Sequence, residues 1–391
     1  LDRFQAGGFV LIPTPLISSK TILAPAIRWP GAALAAGAEA PPAAVWSSPR
    51  IETVSVWAAA KVLHPVESRG WRRGRAKFIA RAALHPGLTR TWLNRLAQAP
   101  EQALWHARPR LAGKLQRPYA HRDWNAAARL AALESHYEAL GSLVSAAALD
   151  RIYAAGLGLV RIEAAGTARN VGIRLFYSDQ FEKEGELTLA VADEATGLEL
   201  ATLTFCVVGT GTERSIWIGG LQANPAPQTR FLINEVSKEM HGLRPKALAL
   251  WALRQLAQAW EIDRIRAVSD AQHIYQHRHK RRAFAASYDE FWSESGGQRG
   301  PDGWELPLET PERPAAEIKP SRRKAYARRY AMLAELAPVL RQSVAALANE
   351  SPVQPTPFSY IPARASKVSE TPAAALPAEA AQACPAELIS R

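Results

Sequence analysis

The order of apolar segments between residues 158 and 268 constrains this fold more than any other feature. Residues 158–164 and 171–177 have the composition of strands. Residues 187–192 and 200–208 flank Asp193-Glu194-Ala195-Thr196-Gly197, whose Asp and Gly tolerate left-handed backbone angles, so a β-hairpin is expected. Residues 215–218 form a further strand after Gly209-Thr210-Gly211. A helix follows over 229–240. A second, more apolar helix runs from about Ala247 through Trp260, with Leu248, Trp251, Leu256 and Ala259 on its buried side. Residues 262–268 close the series as a short strand. Neighbouring strands joined by short turns pair antiparallel, whereas a strand reached through a helix returns across the sheet. The order therefore predicts an α/β (α+β) fold with a mixed sheet.

The rest of the chain divides around that core. Residues 1–65 are rich in Ala, Pro and Gly without sustained periodicity and are expected to be largely disordered, with short ordered pieces. Residues 66–149 read as a helical subdomain: Phe78, Ile79, Ala82 and Leu84 recur near helical spacing, as do Trp92, Leu93 and Leu96, then Trp124, Leu130, Leu133 and Tyr137. Residues 150–347 hold the mixed sheet and end in a basic helix over 322–347, kinked or broken at Pro338. Residues 348–391 form a Pro/Ala-rich tail, read as disordered.

With 48 Lys and Arg against 36 Asp and Glu, the net charge is +12. Such a balance suits acidic partners: a phosphorylated small molecule, an anionic lipid or a nucleic acid. No helix-turn-helix, zinc-finger or RNA-recognition signature accompanies the basic stretches, so nucleic acid is the weakest of the three. No run of about 18 apolar residues is present, and no membrane span is expected. The N-terminus lacks a secretory signal pattern. The two cysteines, Cys206 and Cys384, suit a reducing compartment, and the apolar neighbours of Cys206 make it a packing residue. A cytoplasmic place is expected, at most peripheral at the inner membrane.

The densest chemistry lies in His241-Gly242-Leu243-Arg244-Pro245-Lys246, just before the apolar helix. A helix start presents unpaired N–H groups and a partial positive charge, and Pro at the first turn wastes no donor. Arg244 and Lys246 would add charge-assisted bonds to phosphate. The same residues also read as a helix stop and restart, with Gly and Pro as punctuation. Beyond the strand over 262–268 come Ser269, Asp270 and His273, where ligands gather in open α/β sheets. His273 has a pKa suited to general-base work, and Asp270 beside it reads either as a partner or as a helix cap. Tyr288 is a candidate proton donor. His277 and His279 lie among cations with no Cys or carboxylate at ligand spacing, so no metal site is expected.

Several motifs recur in order in a known family. Ile218-Gly219-Gly220-Leu221-Gln222, His241 to Lys246, Val268-Ser269-Asp270 with His273, Tyr288-Asp289-x-Phe291-Trp292 and Asp302-Gly303-x-x-Leu306-Pro307 resemble the VirK/YbjX family of bacterial proteins, over roughly 75–345. Arg117-Pro118-Tyr119 and Leu133-x-x-His136-Tyr137 resemble its front half. Asp270 stands where the resemblance leads one to expect Asn. The resemblance implies an envelope and virulence setting, without a reaction. The hairpin, loop and helix also resemble acyl-CoA N-acyltransferases of the GNAT type, in which a strand edge holds the pantetheine arm and the next helix start holds pyrophosphate. That resemblance implies an acyl-CoA or acyl-carrier-protein substrate. Gly219, Gly220 and Gln222 would lie on the strand edge, Gly242, Leu243, Arg244 and Lys246 at the phosphate, and His273, Asp270 and Tyr288 at the reacting centre. The usual Gln/Arg-x-x-Gly-x-Gly loop is absent. The alternative is a non-enzymatic envelope factor that binds lipid or a client protein through its basic face.

Overall fold

The computed structural model describes residues 9–13, 54–98, 101–164, 170–224, 226–276 and 287–348. Helices come first: α1 (Val56–Leu63), α2 (Trp71–Leu84), α3 (Pro86–Leu96), α4 (Glu101–Ala107), α5 (Ala126–Leu143) and α6 (Ala146–Ala154). Strand β1 (Phe9–Pro13) precedes them in the chain. Strands β2 (Leu157–Ala164), β3 (Asn170–Phe176), β4 (Leu187–Asp193), β5 (Glu199–Val208) and β6 (Ser215–Ala223) follow. Helices α7 (Pro227–Glu239) and α8 (Pro245–Ala259) then lead to β7 (Arg264–Ala267). The chain continues through α9 (Tyr288–Glu294), β8 (Gln298–Gly300), β9 (Gly303–Leu306) and α10 (Pro320–Ala345).

The nine strands form one sheet in the order β1-β2-β3-β4-β5-β6-β7-β9-β8. Every pairing is antiparallel except β6 with β7, which is parallel and needs the helical crossover. The sheet is thus mixed, as the segment order predicts. The β4–β5 turn has the expected chemistry. Asp193 accepts from the Thr196 amide (3.0 Å) and hydroxyl (2.6 Å), and Gly197 takes φ +69°.

Both faces of the sheet are covered, so the central strands β4 and β5 are buried at every position rather than at alternate ones. Strand β5 is packed on by both α8 and α5. Phe205 meets the Trp260 ring at the end of α8 (6.5 Å), while the Val207 amide donates to His136 Nδ1 on α5 (3.1 Å) and α5 packs along β5. Burial, reinforced by the nearby Lys114 cation, lowers the pKa of His136 to about 3, so it serves there as a neutral acceptor. Cys206 is fully buried, and burial raises its thiol pKa to about 12, which fits the packing role expected of it.

Several elements add detail to the expected set. Helix α1 lies inside the segment read as largely disordered; Ser55 caps it by accepting from the Ala58 amide (3.1 Å). Strand β6 spans the 215–218 segment and continues through the strand edge expected at Gly219, Gly220 and Gln222. Helix α10 continues through Pro338. Among the described residues one helix, 320–348, has the length and composition of a membrane span, but Met332, Leu333, Leu336, Leu340 and Val344 are buried within the protein. That helix packs on α8, β1 and β2. The run His277 to Arg282 and the C-terminal tail with Cys384 lie outside the described residues.

Candidate functional site

The site forms where β6 outruns β7. Pairing between them ends at Ile218 and Ala267, with one more bond from the Val268 amide to the Ile218 carbonyl (2.9 Å). Residues 220–223 still pair with β5 but have left β7. The register against β5 slips at Gly219, since Thr204 faces Gly220 while Phe205 faces Ile218. One extra residue on β6 is a bulge, which bends the strand and re-aims its groups.

The loop between β3 and β4 presses into this bend. Ala120 and Phe205 fix it through bonds from the Ala120 amide to the Lys183 carbonyl (2.7 Å) and from the Glu186 amide to the Phe205 carbonyl (3.0 Å). A Cβ on Gly219 would overlap the Glu184 carbonyl oxygen, and one on Gly220 would overlap the Glu184 carboxylate. The glycine pair is therefore the imprint of Glu184. Its side chain is 1% exposed. Gln222 Nε2 donates to Glu184 Oε2 (2.7 Å). Burial raises the Glu184 pKa to about 8, only partly opposed by that bond, so the carboxyl is largely protonated at neutral pH.

His273 faces it, with Nε2 3.7 Å from Glu184 Oε1. His273 is also 1% exposed, and burial lowers its pKa to about 4. The two thus meet as neutral groups at pH 7 rather than as an ion pair. The Tyr275 amide donates to His273 Nδ1 (3.3 Å), which orients the ring. Tyr288 stacks on His273 at 5.1 Å and 18°, and its hydroxyl accepts from the Leu221 amide (3.4 Å). Burial raises the Tyr288 pKa. The structure thus gathers Gly219, Gly220, Gln222, His273 and Tyr288 around one carboxyl.

Asp270 has a different task. It accepts from the Ser287 hydroxyl (2.5 Å) and the Tyr288 amide (2.8 Å), and so closes the first turn of α9. Asp289 answers by accepting from the Asp270 amide (3.1 Å), Trp304 Nε1 (2.9 Å) and Arg299 (2.9 Å). Of the two readings of Asp270, this geometry is that of the cap. Trp292 anchors the same helix through Nε1 to the Val268 carbonyl (2.9 Å).

The His241–Lys246 segment stands at the start of α8. The Gly242 amide donates to Ser237 (2.6 Å) and the Leu243 amide to Met240 (3.0 Å), so both serve the C-terminus of α7. His241 and Gly242 take positive φ (54° and 81°), as such a helix end requires. Arg329 of α10 donates through Nε and Nη2 to the His241 carbonyl (3.3 and 2.9 Å), clamping the turn. The stop-and-restart reading thus describes Gly242 and Leu243. No side chain caps α8, Pro245 occupies its first turn, Arg244 is exposed, and burial lowers the pKa of the half-buried Lys246. Glu184 is the residue that sequence reasoning missed. The signal available was Glu184-Gly185-Glu186, acids around a glycine directly before an apolar strand.

Comparison with known proteins sets this geometry in a family. A family model described as a protein of unknown function, DUF535, matches residues 67–342. The uncharacterized protein YbjX of Escherichia coli K12 is 32% identical over 276 residues, 68% of this chain and 83% of its own length. Two uncharacterized proteins of Haemophilus influenzae are each 28% identical, over 125 and 145 residues, covering 32% and 36% of this chain and 43% and 47% of theirs. No solved structure matches. The chain belongs to the DUF535 family, the YbjX group whose motifs its sequence carries.

Proposed function

We propose that this chain transfers an acyl group from a CoA or carrier-protein thioester to an amine or hydroxyl, on a sheet related to the GNAT type. The observation that carries the reading is that β6 runs on past its pairing with β7 at Ile218, at the switch from antiparallel to parallel pairing, with a buried carboxyl of raised pKa beside it. Ligands in open α/β sheets collect at such a switch, beyond the C-terminal ends of the strands. Helix α8 joins two parallel strands, so its N-terminus lies at this same end of the sheet. There Arg244, Lys246 and the uncapped first turn would take the phosphates.

In this reading the acceptor attacks the thioester carbonyl. The new C–N or C–O bond forms, the C–S bond breaks, and the acceptor proton passes to ionised Glu184. Its pKa of about 8 suits that work better than the pKa of about 4 at His273, which positions Glu184 instead. Tyr288 would protonate the departing thiolate. A thioester arm using the Leu221 amide must displace the Tyr288 hydroxyl from it, which frees that hydroxyl for the sulfur.

The test is thiol release and thermal shift with acyl-CoA and acyl-carrier protein, against amine and hydroxyl acceptors. Turnover should rise with pH through about 8, and Glu184→Gln should lower kcat by about 100-fold or more while keeping the ligand-induced shift. Lys246→Ala should lose the CoA shift. Absence of any shift or thiol release with all of these thioesters would overturn the proposal.

A further inference from the structure

The surface of the helical hairpin α1–α2 combines two properties that rarely meet on a solvated face. Between residues 54 and 98 there are nine lysines and arginines and a single acid, Glu67. The same stretch holds Trp57 at 56%, Val66 at 53% and Leu84 at 72% exposure, three of the four large hydrophobics exposed among the described residues. On α2 the apolar side, with Phe78 and Ala82, is buried. Arg73, Lys77 and Arg81 recur every four residues on the outer side, and Leu84 continues that stripe at the end of the helix. On α1, Lys61 Nζ lies 5.8 Å over the Trp57 ring. The two helices form a tight hairpin: Gly74 has no room for a Cβ because the His64 ring lies against it.

We infer that this hairpin docks on an anionic lipid bilayer, with Arg73, Lys77 and Arg81 at the headgroups and Trp57 and Leu84 entering the interface. The charge ratio selects an acidic partner, since each cation near a negative membrane surface adds to binding. The protruding indole and leucine select a bilayer over an acidic protein. Both are more than half exposed on a surface whose charges are nearly all positive, and an interface that takes apolar tips below a layer of phosphates matches that pattern. The second basic region, Arg322, Arg323 and Lys324 at the start of α10, has no exposed large hydrophobic beside it and is assigned no part in docking. This inference is independent of the reaction proposed above.

The experiment is sedimentation of the full chain with phosphatidylcholine vesicles, with and without phosphatidylglycerol. Binding should require phosphatidylglycerol and weaken with salt. Arg73→Gln/Lys77→Gln/Arg81→Gln should weaken it about a hundredfold, at about fivefold for each charge removed. These side chains are exposed, so the melting temperature should not move. Trp57→Ala should weaken binding at high salt as well as low, because its share is not electrostatic. Arg322→Gln/Arg323→Gln/Lys324→Gln should bind as the wild type. Equal binding to neutral vesicles, no effect of the α2 triple variant, loss of binding in the α10 variant, or capture by an acidic protein without capture by vesicles would each overturn it.

Discussion

Glu184 and Glu186 lie two residues apart on one loop, and both are buried, yet they are kept in opposite ways. Glu186 receives Lys114 Nζ at 2.6 Å and the Tyr137 hydroxyl at 2.8 Å, and Tyr153 extends the chain to Tyr137 at 3.3 Å. Glu184 receives an amide from Gln222 and faces a neutral imidazole. The helical layer supplies the cation for Glu186; the split between β6 and β7 supplies only polar neutral groups for Glu184. A buried carboxyl given a cation is held as a fixed charge, whereas one given neutral donors stays protonated and can exchange its proton near neutral pH. One glutamate thus joins the layers, and the other is the one the acyl-transfer proposal uses for proton exchange.

Breaking the paired glutamate should have the largest effect. Lys114→Met leaves Glu186 charged and buried without its cation, and the expected loss is about 3–5 kcal/mol by urea unfolding. Adding Glu186→Gln removes the stranded charge and should recover more than half of that loss. If the double variant is as unstable as the sum of the singles, the pair does not join the layers through its charge.

The unpaired glutamate should show itself through pH. The Glu184 pKa is raised in the fold, so the folded state holds a proton that the unfolded chain releases near pH 4.5. Stability therefore falls as pH rises from about 4.5 to about 8, by roughly 1.4 kcal/mol per unit at most and on the order of 3–5 kcal/mol in all. Glu199, raised to about 7 by burial and partly held down by Arg174, adds to that limb. His273 has the opposite sign. Its pKa is lowered to about 4, so stability is lost as pH falls from 6.5 toward 4. Glu184→Gln should lessen the slope of the alkaline limb to the share left by Glu199 and leave the acid limb, and His273→Gln should lessen the acid limb to the share left by His136 and leave the alkaline one. Equal slopes in wild type and Glu184→Gln between about pH 5 and 8 would mean the carboxyl is not buried as a neutral acid.

The same contrast explains what the sequence could reveal. Periodicity and turn chemistry located β2 to β7, the β4–β5 turn and α8, because those signals are local to each element. The motif order of the family brought His273, Tyr288, Gln222 and the glycine pair into view. Glu184 escaped because it lies more than thirty residues from Gly219 and meets it only across the folded sheet. The glycine pair was visible as a motif, but the atom that excludes its Cβ was not. The short strands β8 and β9 were hidden for a related reason. Gln298–Gly300 is polar and exposed, and Gly303–Leu306 is only four residues, so neither carries a period long enough to read. The His241–Lys246 turn shows the converse. Its Gly and Pro announce a helix start, yet the start of α8 and the end of α7 compete for the same amides, and a linear reading gives no way to divide them.

The smallest of these effects tests whether Asp270 holds the site in shape or takes part in the proposed proton transfer. Asp270 sits beside His273 in sequence but ends its hydrogen bonds on α9, at Ser287 and Tyr288. As a cap its value is that of an N-terminal side-chain acceptor, and Asp270→Ala should cost about 1–2 kcal/mol. Asp270→Asn keeps one carbonyl oxygen for the Tyr288 amide, and its new NH2 group can donate to the Ser287 hydroxyl, so it should cost under about 1 kcal/mol. The sharper readout is the pH profile. A cap moves Tyr288 and hence the level of turnover, but leaves the ionisation of Glu184 near about 8 in place. A shifted profile in Asp270→Asn with unchanged stability would place Asp270 among the proton-handling groups with Glu184, rather than with the residues that hold the site in shape.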